Sequence, residues 1–310
     1  MAQATGVEEC RIETGSLQIT WPMKEEDFPP IYNAADKASK DAQKNFFRAL
    51  GGNLFFIVVA AILSVANVQT RGFALLQIVP LVITLGLTIY LAARQPQRIW
   101  YGTRALAESV KTVSWRYMMK AEPFNRSDVD DRDHFRDSLT KIFNSNRRVS
   151  EHAVQMAAGS QITQKMLEVR ALSLQERVRL YEVERVNDQH VWYTNKAKIN
   201  KKSSRWWFGL LIGLNVVALL FASGKVAYPT TNYWPTDILV AAAGAVMAWL
   251  QTKRFQELAA SYTLTAHEIG LLRIALPDGT SEHAFSVYVG DAENAFSREH
   301  TQWQARRDAD

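Results

Sequence analysis

Four apolar stretches divide the chain and restrict what it can fold into. Residues 50–68 and 73–93 hold no charged residue over nineteen and twenty-one positions, and residues 206–223 are uncharged as well. Because a helix rises about 1.5 Å per residue, each of these can cross roughly 30 Å of hydrocarbon. Residues 238–250 are shorter and follow Asp237, but the aromatic residues in the preceding loop are typical of a membrane interface. The pattern therefore predicts four membrane spans.

Basic residues flank these stretches unequally. The connection inside each pair of stretches carries a single basic residue, Arg71 or Lys225. The outer flanks carry many: Lys37, Lys40, Lys44, Arg48, Arg94, Arg98, Arg104, Lys196, Lys198, Lys201, Lys202, Arg205, Lys253 and Arg254. Since cytoplasmic flanks are enriched in Lys and Arg, we expect both termini and the long middle section to be cytoplasmic. The asymmetry also argues against a soluble bundle with four buried helices.

The two pairs of stretches repeat at a spacing of 161 residues. At that spacing Tyr32 aligns with Tyr193, Lys37 with Lys198, Lys40 with Lys201, Phe47 with Phe208, and Tyr101 with Tyr262. This indicates duplication of one unit, in parallel orientation. We expect an all-α integral membrane protein, with four transmembrane helices arranged as two duplicated hairpins and a cytoplasmic helical bundle. The expected divisions are an irregular lead-in over residues 1–30 and two units over residues 31–150 and 151–310.

Helical periodicity and breakers outline the cytoplasmic part. Apolar residues at helical spacing follow the second stretch until Pro123, and Ser127 then precedes a second periodic segment. Ser173 and Glu176 have the spacing of a capping box that opens another helix. After the fourth stretch, a turn at residues 277–279 precedes a last helix.

The sequence offers no recognisable catalytic or metal-binding pattern. Cys10 is the only cysteine, and the six histidines show no paired ligand spacing. The acidic start lacks the features of a signal peptide, and the basic residues do not cluster with aromatics as they would for nucleic acid. Asp188 with Glu182 and Glu184 is interpreted as a charged helix face. We expect neither an enzyme nor a resident cofactor.

A few polar residues interrupt the spans: Asn53, Ser64, Asn67, Thr84, Thr88 and Asn215. Polar groups in hydrocarbon need partners or water, so these side chains should face other helices or a lumen. Interhelical hydrogen bonds and a pore lining both remain open. Small residues, including Gly86 and Gly213, would allow close helix packing within one chain or between chains.

Three segments of the cytoplasmic part resemble the SLATT family. Their residues are Trp100, Tyr101, Arg104, Glu108, Trp115 and Arg116 in the first segment, Arg185, Asp188, Gln189, Trp192 and Tyr193 in the second, and Glu293, Arg298, Glu299, His300 and Trp303 in the third. SLATT proteins are two-transmembrane effectors associated with nucleotide-signalling defence loci of bacteria. The likeness runs from about Tyr32 to Trp303 as two tandem units.

The resemblance implies a homo-oligomeric, pore-forming or membrane-perturbing effector of the bacterial inner membrane. Such an effector would act during phage infection, depolarise the membrane and arrest growth, with a nucleotide signal or a cytosolic sensor protein as partner. A non-conducting membrane scaffold that recruits a cytosolic partner remains an alternative. Arg104 and Glu108 would form an intrahelical ion pair or face a neighbouring subunit. The tryptophans would be core or interface residues, or line a ligand pocket.

Overall fold

All regular structure in the described part of the chain is helical. The computed structural model describes residues 23–66, 70–145, 159–231, 234–277 and 281–307, with side chains up to residue 297. Most of the expected lead-in, including Cys10, lies outside these residues. Its last part, from Met23, packs on the rest of the chain, where the Met23 backbone N–H donates to Glu184.

In the described part of the first half, a short 3₁₀ helix (Glu25–Asp27) precedes four α-helices. They are α1 (Pro30–Val65), α2 (Arg71–Arg94), α3 (Pro96–Met118) and α4 (Asp128–Ser145). Pro30 opens α1 at a position where a missing N–H costs nothing. Between α2 and α3, Gln95 has a left-handed backbone and Pro96 restarts the helix, so the chain bends there without a loop.

The second half repeats this plan after two short helices. Its elements are α5 (Gln164–Arg170), α6 (Leu174–Tyr181), a π-helical turn (Glu182–Asn187), α7 (Asp188–Ala227), α8 (Thr236–Lys253), α9 (Phe255–Ile274) and α10 (Glu282–Arg307). The predicted Ser173–Glu176 capping box is present at the start of α6. Arg254, like Gln95, is left-handed and separates α8 from α9.

Among the described residues, three helical runs are long and apolar enough to cross a membrane. They are Pro30–Val65, Arg71–Met118 and Leu174–Ala227, and few residues in their apolar parts are buried. These runs contain the first three apolar stretches of the sequence. Helix α8, which contains residues 238–250, is not among them. A fourth crossing, and with it the arrangement as two complete hairpins, therefore stays a prediction.

Each half packs its helices in the same way. Helix α3 lies along α1 and α9 lies along α7, while α2 and α8 pack on the apolar ends of α1 and α7. The apolar ends of the two halves meet where α1 contacts α8. At the opposite end, α10 contacts both α9 and α3. The buried core lies at that end and draws on both halves, from Phe28 and Leu106 to Tyr181 and Phe285.

Aromatic residues cluster where the helices enter the apolar region. The ring of Phe47 lies 5.5 Å from Trp100 and 5.8 Å from Trp249, and Trp207 lies 6.0 Å from Trp249. The Lys253 ammonium sits 3.3 Å from the Phe47 ring centroid, a cation–π contact. Gly51 on α1 leaves room for the Trp249 ring, which would lie 3.9 Å from an added Cβ. This cluster joins α1, α7 and α8 at one level.

We predict that Leu106→Ala destabilises the protein strongly. Leu106 is completely buried in the shared core, so truncation leaves a cavity that costs roughly 2–5 kcal/mol. The apparent Tm of the detergent-solubilised protein, followed by circular dichroism, should fall. Val129→Ala serves as the control because Val129 is exposed on α4. Equal Tm values for both variants would contradict the described core.

Candidate functional site

The family-signature residues lie in the helices outside the apolar stretches, and several of them meet in the core. Glu293 of α10 is fully buried and accepts hydrogen bonds from Nε and Nη2 of Arg185, both at 2.8 Å. The Tyr181 hydroxyl donates to the same carboxylate at 3.0 Å. The guanidinium group also lies 4.9 Å from the Phe296 ring centroid. A charge removed from water is tolerated only when paired in this way.

The environment changes the ionisation of the groups around Glu293. Burial alone would lower the pKa of Arg185, but the adjacent Glu293 carboxylate outweighs burial and raises it. Burial raises the pKa of Tyr181 well above its ordinary value, and the charge of Glu293 raises it further. Tyr181 therefore stays a hydrogen-bond donor, and Arg185 stays charged, across the physiological pH range.

A π-helical turn places Arg185 in the core. In Glu182–Asn187, Arg185 and its neighbour Val186 are both buried. The wider turn departs from α-helical register, and such turns often occur at functional positions. The turn also lies directly between the capped helix α6 and the long helix α7.

Two further signature residues near the end of α3 contact the second half of the chain. Nη2 of Arg116 donates to the Gly290 carbonyl at 3.1 Å and to Oδ1 of Asn294 at 2.8 Å. Trp115 is almost completely buried, with its ring 5.7 Å from that of Tyr181. Arg116 thus binds the second half of the same chain, while Trp115 is a core residue.

Other signature residues flank this core on α3 and α1. Arg104 bonds Glu108 one turn away at 2.7 Å, the intrahelical pair that the sequence suggested, and Asp36 of α1 at 3.4 Å. Asp36 is itself buried. Trp100 and Tyr101 stack at 4.5 Å beside the aromatic cluster of the apolar boundary.

The remaining signature residues line the start of α7. Tyr193 is buried, and Trp192 and Tyr193 both pack on Tyr262 of α9, at 5.6 and 5.7 Å. Asp188 is exposed, and Gln189 donates to it at 3.3 Å. The side chains of Arg298, Glu299, His300 and Trp303 lie outside the described residues.

Sequence reasoning missed two buried arginines. Arg170 of α5 pairs with the fully buried Asp131 and donates to the Tyr117 carbonyl at 2.5 Å. Arg177 of α6 donates to the Met119 carbonyl at 2.7 Å and pairs with Glu282. Both therefore bind a backbone carbonyl at or just after the end of α3. No signal in the sequence distinguishes these arginines from exposed ones on amphipathic helices.

The polar residues of the apolar stretches fall into two groups. Asn53 of α1 donates to the Thr84 carbonyl at 3.2 Å and to the Thr88 hydroxyl at 2.9 Å, so these three join α1 to α2. Ser64 and Asn215 are exposed, and the Asn215 amide donates only along its own helix, to Leu211 at 2.8 Å. Asn67 lies outside the described residues.

The sequence analysis also overlooked one polar residue of α2. Gln77 donates to the Leu63 carbonyl at 2.9 Å, a second bond between α1 and α2. The residue type of Gln77 indicates such a bond, because an amide within an apolar stretch needs a partner.

A cleft of about 580 Å³ opens where α4 and α10 begin. Its lining includes the cationic side chains of Lys120, Arg126 and Arg170 and the carboxylates of Asp128 and Glu282. Asp128 bonds Arg170 at 3.2 Å, and Glu282 pairs with Arg177. Arg170 is shared between Asp128 and the buried Asp131, whereas Lys120 and Arg126 give the cleft a positive side suited to an anion.

We predict that Glu293→Leu destabilises the protein by roughly 3–5 kcal/mol, because Arg185 would be left buried and unpaired. The double variant Arg185→Met with Glu293→Leu should recover most of the loss, since it removes both charges. Thermal unfolding of the three proteins in detergent measures this. A double variant no more stable than the single one would show that the ion pair is not the interaction that matters.

Comparison with known proteins identifies both halves of the chain. The family model described as SMODS and SLOG-associating 2TM effector domain 3 matches residues 29–178. The model described as SMODS and SLOG-associating 2TM effector domain 1 matches residues 181–303. No curated protein and no solved structure matches the chain. The chain therefore belongs to the SLATT family and carries two of its two-transmembrane effector domains in tandem.

Proposed function

We propose that the protein is a membrane effector of a bacterial antiphage, nucleotide-signalling conflict system. Copies of the chain associate in the inner membrane and create an ion path that depolarises the cell and stops growth. The observation that carries the proposal is the tandem pair of SLATT effector domains, a family associated with conflict systems. The proposed function needs no catalytic step, because ion flow down its gradient is enough to depolarise the cell.

Four crossings per chain fit the arrangement of helices. Helix α8 has eighteen residues, which at about 1.5 Å each give a length close to the hydrocarbon thickness. Trp207 and Trp249 lie side by side, as residues of one interfacial aromatic belt would. Lys253 and Arg254 follow directly on the side that the basic flanks assign to the cytoplasm. Both termini and the helical bundle then lie inside the cell.

The packing of the apolar helices favours an assembly of several chains. Contacts run from α2 to α1, from α1 to α8 and from α8 to α7, which is a row rather than a ring. Many of their side chains are exposed, including Leu81, Leu85 and Leu220. A row of helices encloses no water by itself, so several copies around an axis are the simpler way to form a path.

Asn215 is the polar side chain that we place at such a path. Its amide is exposed on the surface of α7 and bonds only to its own helix. An amide facing lipid is unfavourable, so contact with a neighbouring copy or with water is expected. Asn53, by contrast, already has partners on α2. The cleft beside Lys120 and Arg126 is where we place an anionic trigger such as a nucleotide.

We predict that the loop between α7 and α8 faces outward. In a Cys10→Ser background, Thr230→Cys should react with a membrane-impermeant thiol reagent in intact cells. Ser160→Cys, which is also exposed, should react only after permeabilisation. The reverse labelling pattern would invert the topology and refute the assignment from basic flanks.

We also predict that the wild-type protein lowers the membrane potential when its expression is induced. At equal protein levels, Asn215→Leu should weaken the depolarisation, because a path loses a polar group. Ile212→Leu, an exposed position of the same helix, should not. Voltage-sensitive dye and growth curves measure the effect.

Two results would change this account. If the wild-type protein is monomeric in mild detergent and never depolarises cells, the non-conducting scaffold replaces the pore as the proposed function. Undiminished depolarisation by Asn215→Leu would reject Asn215 as the lining residue and leave the pore in place.

A further inference from the structure

One exposed apolar surface of the protein cannot be covered by lipid. On α9, Leu264, Leu271 and Ile274 are 62%, 69% and 84% exposed. Helix α9 begins at Phe255, just after Arg254, so Leu264 lies roughly 15 Å, and Ile274 roughly 30 Å, beyond the end of α8. In the proposed orientation these side chains therefore project into water, where large apolar side chains exposed on one helix face indicate a binding partner.

The neighbours of α9 support this position. Tyr262 packs on Trp192 and Tyr193, and an added Cβ at Gly270 would lie 3.9 Å from the His190 ring. Those α7 residues lie in its charged first part, before the apolar stretch begins. Helix α9 thus runs alongside the aqueous portion of α7.

The equivalent surface of the first half is covered. The 161-residue spacing aligns Thr103, Leu106 and Val110 of α3 with Leu264, His267 and Leu271 of α9. All three α3 residues are 0% exposed, whereas their α9 counterparts are exposed. Helix α10 supplies contacts to α3 from the second half. The same helix face is therefore buried in the first half of the chain and exposed in the second.

The spacing of the bare face identifies the kind of partner. Its exposed residues are Ala260, Leu264, His267, Leu271 and Ile274, separated by four, three, four and three positions. This is the heptad spacing of a helix that pairs with another helix along an apolar seam. On one flank of this face Thr263 is small and uncharged, which leaves room for a second helix.

The symmetry of a membrane assembly then indicates which helix binds the exposed face of α9. Copies inserted in one membrane in the same direction are related by an axis along the membrane normal. Under such an axis, two α9 helices run parallel and in register, the geometry in which a heptad seam matches itself. We propose that α9 is a docking surface for α9 of a second copy of this chain. The inference rests on the proposed membrane orientation and extends the proposed association.

Single-cysteine crosslinking in native membranes tests the pairing. In the Cys10→Ser background, Leu271→Cys should give a disulfide-linked dimer on mild oxidation. Arg273→Cys, exposed on the opposite side of α9, should remain a monomer. Both positions are exposed, so neither change removes a core residue, and membrane-fraction levels verify expression. Equal crosslinking of the two variants, or none in Leu271→Cys, would overturn the docking surface.

A second measurement separates docking from pore formation. Leu264→Asp with Leu271→Asp should weaken self-association by at least about tenfold, because two seam contacts are lost and charges face each other. Val129→Asp on α4 should not change it. Native mass spectrometry reads association, and voltage dye in the same cells reads depolarisation. If the double variant associates as strongly as the wild type, the docking surface is refuted, even where the cells depolarise. If association falls as expected but the wild-type protein never depolarises cells, the docking surface is supported and the pore is refuted.

Discussion

The buried contact between Arg185 and Glu293 is the constraint on which the rest of the helical core depends. Both side chains are removed from water, so their charges must match each other. The Tyr181 hydroxyl donates a further hydrogen bond to the carboxylate. This fixes helix α10 against the π-helical turn that opens α7. Because α10 also bonds Arg116 of α3, the helix fixed by this contact joins the two SLATT units into one core.

The two units are both anchored in this shared core. Helices α1 and α7 run without interruption from this core into the apolar stretches, over thirty-six and forty residues. Many large side chains of the apolar helices are exposed. A displacement of the shared core would therefore be carried along α1 and α7 into the apolar stretches. This is how an event at the cleft of α4 and α10 would reach an ion path.

The sequence predicted the features that depend on local pattern. The apolar stretches, the capping box at Ser173 and the helix that follows Ser127 are all present. The Arg104–Glu108 pair also followed from a spacing of four residues. Membership in the SLATT family was recognised from residues now seen around the core, among them Glu293 and Arg185.

Features that depend on tertiary contact could not be predicted in this way. Asp131 lies in an acidic run that resembles a solvated helix start, yet it is buried against Arg170. The π-helical turn at Arg185 and the left-handed residues Gln95 and Arg254 likewise follow from packing rather than from residue type. The span in α8 stayed ambiguous because its apolar stretch is short and lies between charged ends.

Hydrogen exchange measured by mass spectrometry on the detergent-solubilised wild-type protein tests the shared core most directly. If α10 is part of one core with α3, peptides covering residues 105–118 and 285–296 should show comparable, slow exchange, because both open only when that core opens. Rapid exchange in α10 beside a protected α3 would contradict the account. It would mean that α10, which the Arg185–Glu293 contact fixes within the second unit, does not hold the two units together.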